Sequence, residues 1–265
     1  MTTIIAVSNQ KGGVAKTTSC VSIGACLAEE KRRVLVIDLD PQAHLTLSAG
    51  LDPDELSPTI VDLFDENGPG QKASQAVYPT LQPGMELLPG DIRLSRLEQL
   101  LPEQDGYEYS LKNILQQFFD HYDDILVDCP PSLGALTITA LTASHQALIP
   151  TPCEYFATRS LVRLLEIIEA VQKRTNPVLS YALFITMFDR RTLISQQILD
   201  QMRKHFQKTL LDTVINRDTR LRECVAAGEP ITVYAPRSRA SQQYRQLARE
   251  ILHLSEKKSR TRAYE

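Results

Sequence analysis

The sequence predicts an α/β protein: one domain in which a doubly wound, mostly parallel sheet is flanked by helices. Three observations carry that prediction. Short apolar runs, Ile4-Ile5-Ala6-Val7, Val34-Leu35-Val36-Ile37 and Ile125-Leu126-Val127, read as strands covered on both faces. Segments with apolar residues at helical spacing alternate with them. A glycine-bearing loop, Asn9 to Thr18, joins the first strand to the first helix, and the other two strands each end in an aspartate.

Composition bounds the problem. A chain of 265 residues, 43% hydrophobic and 23% charged, has ordinary globular content and buries a core without disulfide or metal staples. No apolar run approaches the ~18 residues that cross a bilayer. Lys11 and the Gly12-Gly13 pair arrive before an apolar leader core forms, so no secretory signal is expected and the compartment reads as cytoplasmic. The first strand starts almost at Met1, so an N-terminal DNA-reading domain is not expected. The five cysteines form no C-x-x-C pair and read as thiols. The net charge of −3 divides unevenly: residues 217–265 hold 11 basic and 6 acidic side chains, against 18 and 26 in the rest. A basic end on an acidic body points to an anionic partner or to a solvated charged tail.

In chain order, the strand at 4–7 leads into Asn9-Gln10-Lys11-Gly12-Gly13-Val14-Ala15-Lys16-Thr17-Thr18 and then a helix over 16–29. Strand, glycine loop and helix are the setting of a phosphate-binding loop, with backbone N–H groups and the helix dipole facing an anion. Lys16 would reach the terminal phosphates, and the Thr17 hydroxyl would ligate Mg²⁺. The usual G-x-x-x-x-G-K-[ST] spacing is not met, because Gln10 and Ala15 occupy its glycine positions. If position 15 needs positive φ, alanine strains the loop. The strand at 33–37 ends in Asp38-Leu39-Asp40-Pro41-Gln42, beyond the carboxyl edge where ligands bind in such sheets. Prolines break 50–84 into short pieces; a short strand near 85–90 and helices near 92–101 and 110–120 follow. The strand at 124–128 terminates in Asp128, then Cys129-Pro130-Pro131-Ser132. Further strands at 146–150 and 178–187 alternate with helices at 157–173 and 194–207. A last helix at 241–254 precedes a short basic tail, 255–265, expected to fray.

Lys11-Gly12-Gly13-x-x-Lys16-Thr17-Thr18 resembles the deviant phosphate loop of the ParA/MinD/nitrogenase-iron-protein superfamily of P-loop ATPases. Asp38-x-Asp40-Pro41-Gln42 resembles the switch motif of its ParA-like members, and Asp128-Cys129-Pro130-Pro131-Ser132 their Walker B segment. Glu154-Tyr155-Phe156-Ala157, with Thr158 for a usual Leu, is similar to a family segment near the dimer interface, although core packing explains it equally. Thr186-Met187-x-Asp189-x-Arg191-Thr192 is similar to a signature of chromosomal ParA proteins. So is Val214-Ile215-Asn216-Arg217-Asp218-Thr219-Arg220-Leu221, with Asn216 where Pro is usual. The likeness covers residues 1–254, taken as one ATPase domain.

The resemblance implies a ParA/Soj-type partition ATPase using ATP and Mg²⁺. It places nucleotide contacts on Lys11, Gly12, Gly13, Val14, Ala15, Lys16, Thr17 and Thr18, with Asn216 and Arg217 at the base. Lys16 holds phosphate, and Lys11 crosses to the nucleotide of a second copy in an ATP-bound homodimer. Asp40 serves the attacking water and the metal region, which Asp38 supports, and Asp128 reaches Mg²⁺ through water. Arg191 and Arg220 match arginines used on nonspecific double-stranded DNA; Arg217, Arg222, Arg237, Arg239 and Arg245 would widen that patch, unless such arginines are held in internal ion pairs. A ParB-type partner would stimulate hydrolysis, the setting would be the nucleoid, and no membrane is expected. A MinD-like membrane-cycling ATPase and a nucleotide-gated scaffold for another cargo remain alternatives. An iron–sulfur carrier is disfavoured, because Cys129 and Cys153 lie outside its motifs.

Overall fold

The computed structural model describes residues 2–64, 73–154 and 157–262, without the side chains of 157–160 and 255–262. Tyr155, Phe156 and residues 263–265 therefore lie outside the described residues, as does the side chain of Thr158. The eight strands are β1 (Thr3–Val7), β2 (Val34–Asp38), β3 (Tyr78–Pro79), β4 (Met85–Leu88), β5 (Asp124–Asp128), β6 (Gln146–Pro152), β7 (Ser180–Phe188) and β8 (Leu210–Asn216). They form one sheet in the order β3-β4-β2-β5-β1-β6-β7-β8, parallel except for the two-residue edge strand β3.

Between the strands run α1 (Lys16–Glu29), α2 (His44–Ser48), α3 (Ile60–Phe64), α4 (Leu94–Leu100), α5 (Ser110–Leu115), α6 (Ala135–Ala143), α7 (Ala157–Arg174), α8 (Leu193–His205), α9 (Arg220–Ala226), α10 (Ile231–Tyr234) and α11 (Arg239–Arg262). Alternate strand residues point to opposite faces, so each central strand feeds two cores. Ile4, Leu35, Ile125 and Ile149 meet α5, α6, α7 and α8 on one face. Ile5, Val36, Leu126 and Phe184 meet α1 and α11 on the other. This is the doubly wound architecture that the continuous apolar runs predict.

The sequence pattern gives no sign of α6. Its Ala-Leu-Thr-Ile-Thr-Ala-Leu-Thr-Ala run is almost wholly buried, so no polar face marks its period. The last helix runs to Arg262 rather than stopping near 254, because no glycine or proline interrupts the polar residues beyond Leu254. β6 also extends past the proline expected to end it. Leu148 accepts from Ser8, and two residues on, the Pro150 carbonyl accepts from the Asn9 side chain on that same flank. β1 has already ended there, so the missing Pro150 N–H breaks no ladder bond.

Register sets the site. Val7 of β1 and Asp38 of β2 both lie opposite Asp128 of β5. Three neighbouring strands thus finish level, and the loops after residues 7, 38 and 128 leave the same edge.

Candidate functional site

The loop after β1 is braced from both sides. Asn9 accepts from the Lys11 backbone N–H at 3.0 Å and donates to Pro150 O at 2.8 Å. Thr186, at the end of β7, donates to Val14 O at 3.2 Å. Ala15 is held at φ +69°, so the strain expected for alanine at this position is present. α1 begins at the next residue and aims its free N–H groups at the space above the loop.

That space is a cavity of about 730 Å³. Gly12, Gly13, Ala15, Lys16, Thr17 and Thr18 form its phosphate-loop wall, Asp40 and Pro131 lie on the two neighbouring loops, and Met187, Asn216, Arg217 and Leu221 close the far end. The structure therefore brings together most of the expected nucleotide residues. Lys11, Val14 and Asp128 are not in the lining: Val14 is buried inward, while Asp128 lies beneath Thr17.

Thr17 Oγ1 donates to Asp128 Oδ2 at 2.6 Å. The other carboxylate oxygen, Asp128 Oδ1, is buried with no protein partner. Burial, reinforced by neighbouring Asp38, raises the Asp128 pKa well above the ordinary carboxylate range. A hydroxyl, an orphaned carboxylate oxygen and a nearby Asp40 fit Mg²⁺, which takes one or two carboxylates and completes its shell with phosphates and water. Among the described residues, no cluster of three or more His, Cys, Asp or Glu is arranged as a self-sufficient metal site, and the five free cysteines are buried. Lys16 is buried too, which lowers its pKa against the opposing pull of Asp128 and Asp40. Its Nζ approaches Lys11 O at 3.4 Å.

Asp38 faces away from the cavity lining. It accepts from Thr46 N and Thr46 Oγ1, both at 2.9 Å, and from Asp40 N at 3.1 Å, fastening α2 and the Asp40 turn to β2. Burial pushes its pKa up to about 6. Lys11 is ion-paired with Glu154, beyond the end of β6. Asn216 accepts from Arg190 Nε at 3.2 Å, and its backbone N–H donates to Gln243 at 3.1 Å. Arg191 is spanned by Asp189 through bonds of 2.9 and 3.0 Å, whereas Arg220 has no acid partner among the described residues.

Sequence reasoning quoted Asn9, Thr186, Met187 and Glu154 only within longer motifs and gave none of them a bracing or pairing role, and it missed Thr46 altogether. Asn9 sits two residues ahead of Lys11, a local signal that an Asx turn opens the loop. Thr46, Thr186 and Glu154 act across the fold, where spacing gives no cue. Met187 stands at φ +54° beside irregular β7–β8 pairing, an unusual backbone for a nonglycine residue at the mouth of a cavity.

A parallel sheet with a lysine- and threonine-bearing glycine loop at its carboxyl edge defines a P-loop nucleotide-binding protein, and a profile of the AAA-domain family matches residues 2–181. Within that class the chain belongs to the ParA/Soj and MinD-like ATPase family. It is 39% identical to the sporulation initiation inhibitor protein Soj of Bacillus subtilis, over 94% of this chain and 97% of that one. It is 37% identical to the chromosome partitioning protein ParA of Myxococcus xanthus, over 97% and 90%. Among solved structures it is similar to a cobyrinic acid a,c-diamide synthase from Mycobacterium smegmatis with bound ADP and magnesium, at 38% identity and a TM-score of 0.83, covering 95% and 94%.

Two expected outcomes follow from strain and burial. Ala15→Gly removes the left-handed penalty of about 1–2 kcal/mol, partly offset by glycine's freedom in the unfolded chain. Urea denaturation of the nucleotide-free protein should show a gain of roughly 0.5–1 kcal/mol. For Asp38, the unfolded value of 3.8 lies below the folded value of about 6. Between them the native state holds the extra proton, so its contribution to stability falls as pH rises, by on the order of 3 kcal/mol in all. That decline should be missing from the denaturation profile of Asp38→Asn.

Proposed function

We propose that this protein is a ParA-type partition ATPase: it hydrolyses ATP to ADP and phosphate and dimerises around bound ATP. The ATP dimer holds duplex DNA without sequence preference. The observation that carries the reading is the Thr17–Asp128 pair beneath a loop bearing both Lys11 and Lys16, beside Asp40. Residues 1–254 act as the ATPase unit, with 255–265 as its basic tail.

Lys16 and the loop N–H groups bind the phosphates. Thr17, Asp40 and Asp128 would hold Mg²⁺, Asp128 through water, and the ion would supply positive charge against that of the phosphates. Asp40 aligns the attacking water, with its turn fixed by Asp38. Asn216 and Arg217 meet the base. Lys11 leaves Glu154 and reaches the phosphates held by a second copy, where its charge stabilises the transferred phosphoryl group. Dimerisation then reports the presence of the γ-phosphate. Arg191 and Arg220 are the starting candidates on DNA, and a ParB-type protein speeds hydrolysis and release. The relatives named for chromosome partitioning support this assignment, including its nucleoid setting.

The two lysines should fail differently. Lys16→Ala should weaken ADP and ATP binding by the monomer about tenfold or more, the loss of a buried charge–phosphate contact. Lys11→Ala should bind ADP like the parent yet stay monomeric with ATP. Analytical ultracentrifugation with each nucleotide checks this, and ATP-dependent dimers of Lys11→Ala would remove its cross-subunit role. For Asp40→Ala the expectation is a dimer that binds ATP and stalls, seen as retained nucleotide without phosphate release. Failure to bind ATP would instead make Asp40 a structural residue or a required part of the Mg²⁺ site.

A further inference from the structure

α4 is tied to both loops that follow the acid-tipped strands. Gly90, between β4 and α4, lies directly on the end of β2: a Cβ there would stand 2.6 Å from Asp38 O and 3.0 Å from the Leu94 side chain. Arg93, just before the helix, is pinned by Asp62 at 2.7 Å and Asp91 at 2.8 Å. One turn further on, Glu98 reaches the loop that follows β5. Its Oε1 accepts from Ser132 Oγ at 3.1 Å, and its Oε2 from Leu136 N at 2.8 Å in the first turn of α6.

The receiving loop is shaped for that carboxylate. Gly134 precedes α6 and has no side chain to cap it, so the helix N–H groups need a partner from elsewhere. With φ at −96°, a left-handed backbone is not why glycine stands there. Glycine leaves room: a Cβ would fall 1.9 Å from Glu98 Oε1. Thr137 Oγ1 adds a bond of 2.6 Å to Ser132 O. Pro131, one residue before Ser132, lines the nucleotide cavity with Gly12, Gly13, Lys16 and Asp40.

We propose that Glu98 is a positioning residue for phosphoryl transfer: from α4 it fixes the Ser132–Leu136 segment, and through it the Pro131 edge of the nucleotide cavity. The proposal rests on the ATPase reading above and adds to it a residue outside the cavity lining. Because the start of α4 is packed on the Asp38 end of β2, one helix holds the Asp38–Asp40 turn and the Pro131 loop at a set separation. A reacting group held between two such walls loses rate by up to about 100-fold for a misplacement of ~1 Å.

The test compares Glu98→Ala, Glu98→Gln, Gly134→Ala and the protein with both alanines, all full-length. Gly134→Ala keeps the carboxylate but occupies its place. Phosphate release from ATP with Mg²⁺ gives kcat and KM, a fluorescent ADP titration gives ground-state affinity, and amide hydrogen exchange without nucleotide reports on the Leu136 N–H. Glu98→Ala and Gly134→Ala should each lower kcat about tenfold, with KM and ADP affinity within about twofold of the parent. Both should speed exchange at Leu136. Glu98→Gln should keep kcat within about threefold, because its amide oxygen accepts from Leu136 N while its NH₂ donates to a turned Ser132 hydroxyl. The double variant should match Glu98→Ala within about twofold, since both changes break one contact. If Glu98→Ala keeps the parental kcat while exchange at Leu136 speeds up, Glu98 is a helix cap alone. If the two single losses multiply, or Glu98→Gln fails like Glu98→Ala, the positioning role also falls, and in each case the ATPase reading stands. A parent protein that releases no phosphate from ATP overturns both.

Discussion

The arrangement depends on one buried acid. Asp128 sits at the level carboxyl edge of three parallel strands, opposite Val7 on one side and Asp38 on the other. An ionised carboxylate at such a position is costly unless donors or a cation meet it. Thr17 meets one oxygen, and the other has no protein partner. The first residues of α1 are thus placed against the end of β5, while one oxygen of Asp128 is left without a protein donor. Asp38 raises the Asp128 pKa further, so the edge stores charge repulsion that a divalent cation relieves.

Backbone strain gathers around the same edge. Ala15, just before α1, and Ala43, just before α2, lie in the left-handed region at φ +69° and +50°, and Met187 lies there at +54°. Each costs on the order of 1 kcal/mol, and each is held by surrounding bonds rather than by its own preference. Thr186 fixes the carbonyl ahead of Ala15, and Asp38 fixes the Asp40 turn that precedes Ala43. The two helix starts flanking the phosphate loop are therefore positioned by tertiary hydrogen bonds.

Charge pairing divides the surface in a comparable way. Lys11 is held by Glu154, so any role across a subunit boundary requires an exchange of one anion for another. Such an exposed pair is worth at most about 1 kcal/mol, so it holds Lys11 only weakly. Among the arginines, internal pairing leaves a smaller set of open cations than the basic count of the C-terminal segment suggests.

By itself the sequence determined the doubly wound sheet, because strands buried on both faces need near-continuous apolar runs and leave them visible. It determined the phosphate loop and the two strand-end acids as well, since Lys16, Thr17, Asp40 and Asp128 lie within short contiguous motifs. Tertiary structure decided what had no local period or spacing. α6 is buried on every side and shows no amphipathic rhythm. Asn9 on Pro150, Thr186 on Val14 and Glu154 on Lys11 join residues more than a hundred positions apart. Which arginines are open to an anion was likewise undecidable from composition: a guanidinium is free or spoken for according to the acid that folding sets beside it. Asp189 pairs with the guanidinium of Arg191, whereas Asp218 meets only the backbone N–H of Arg220.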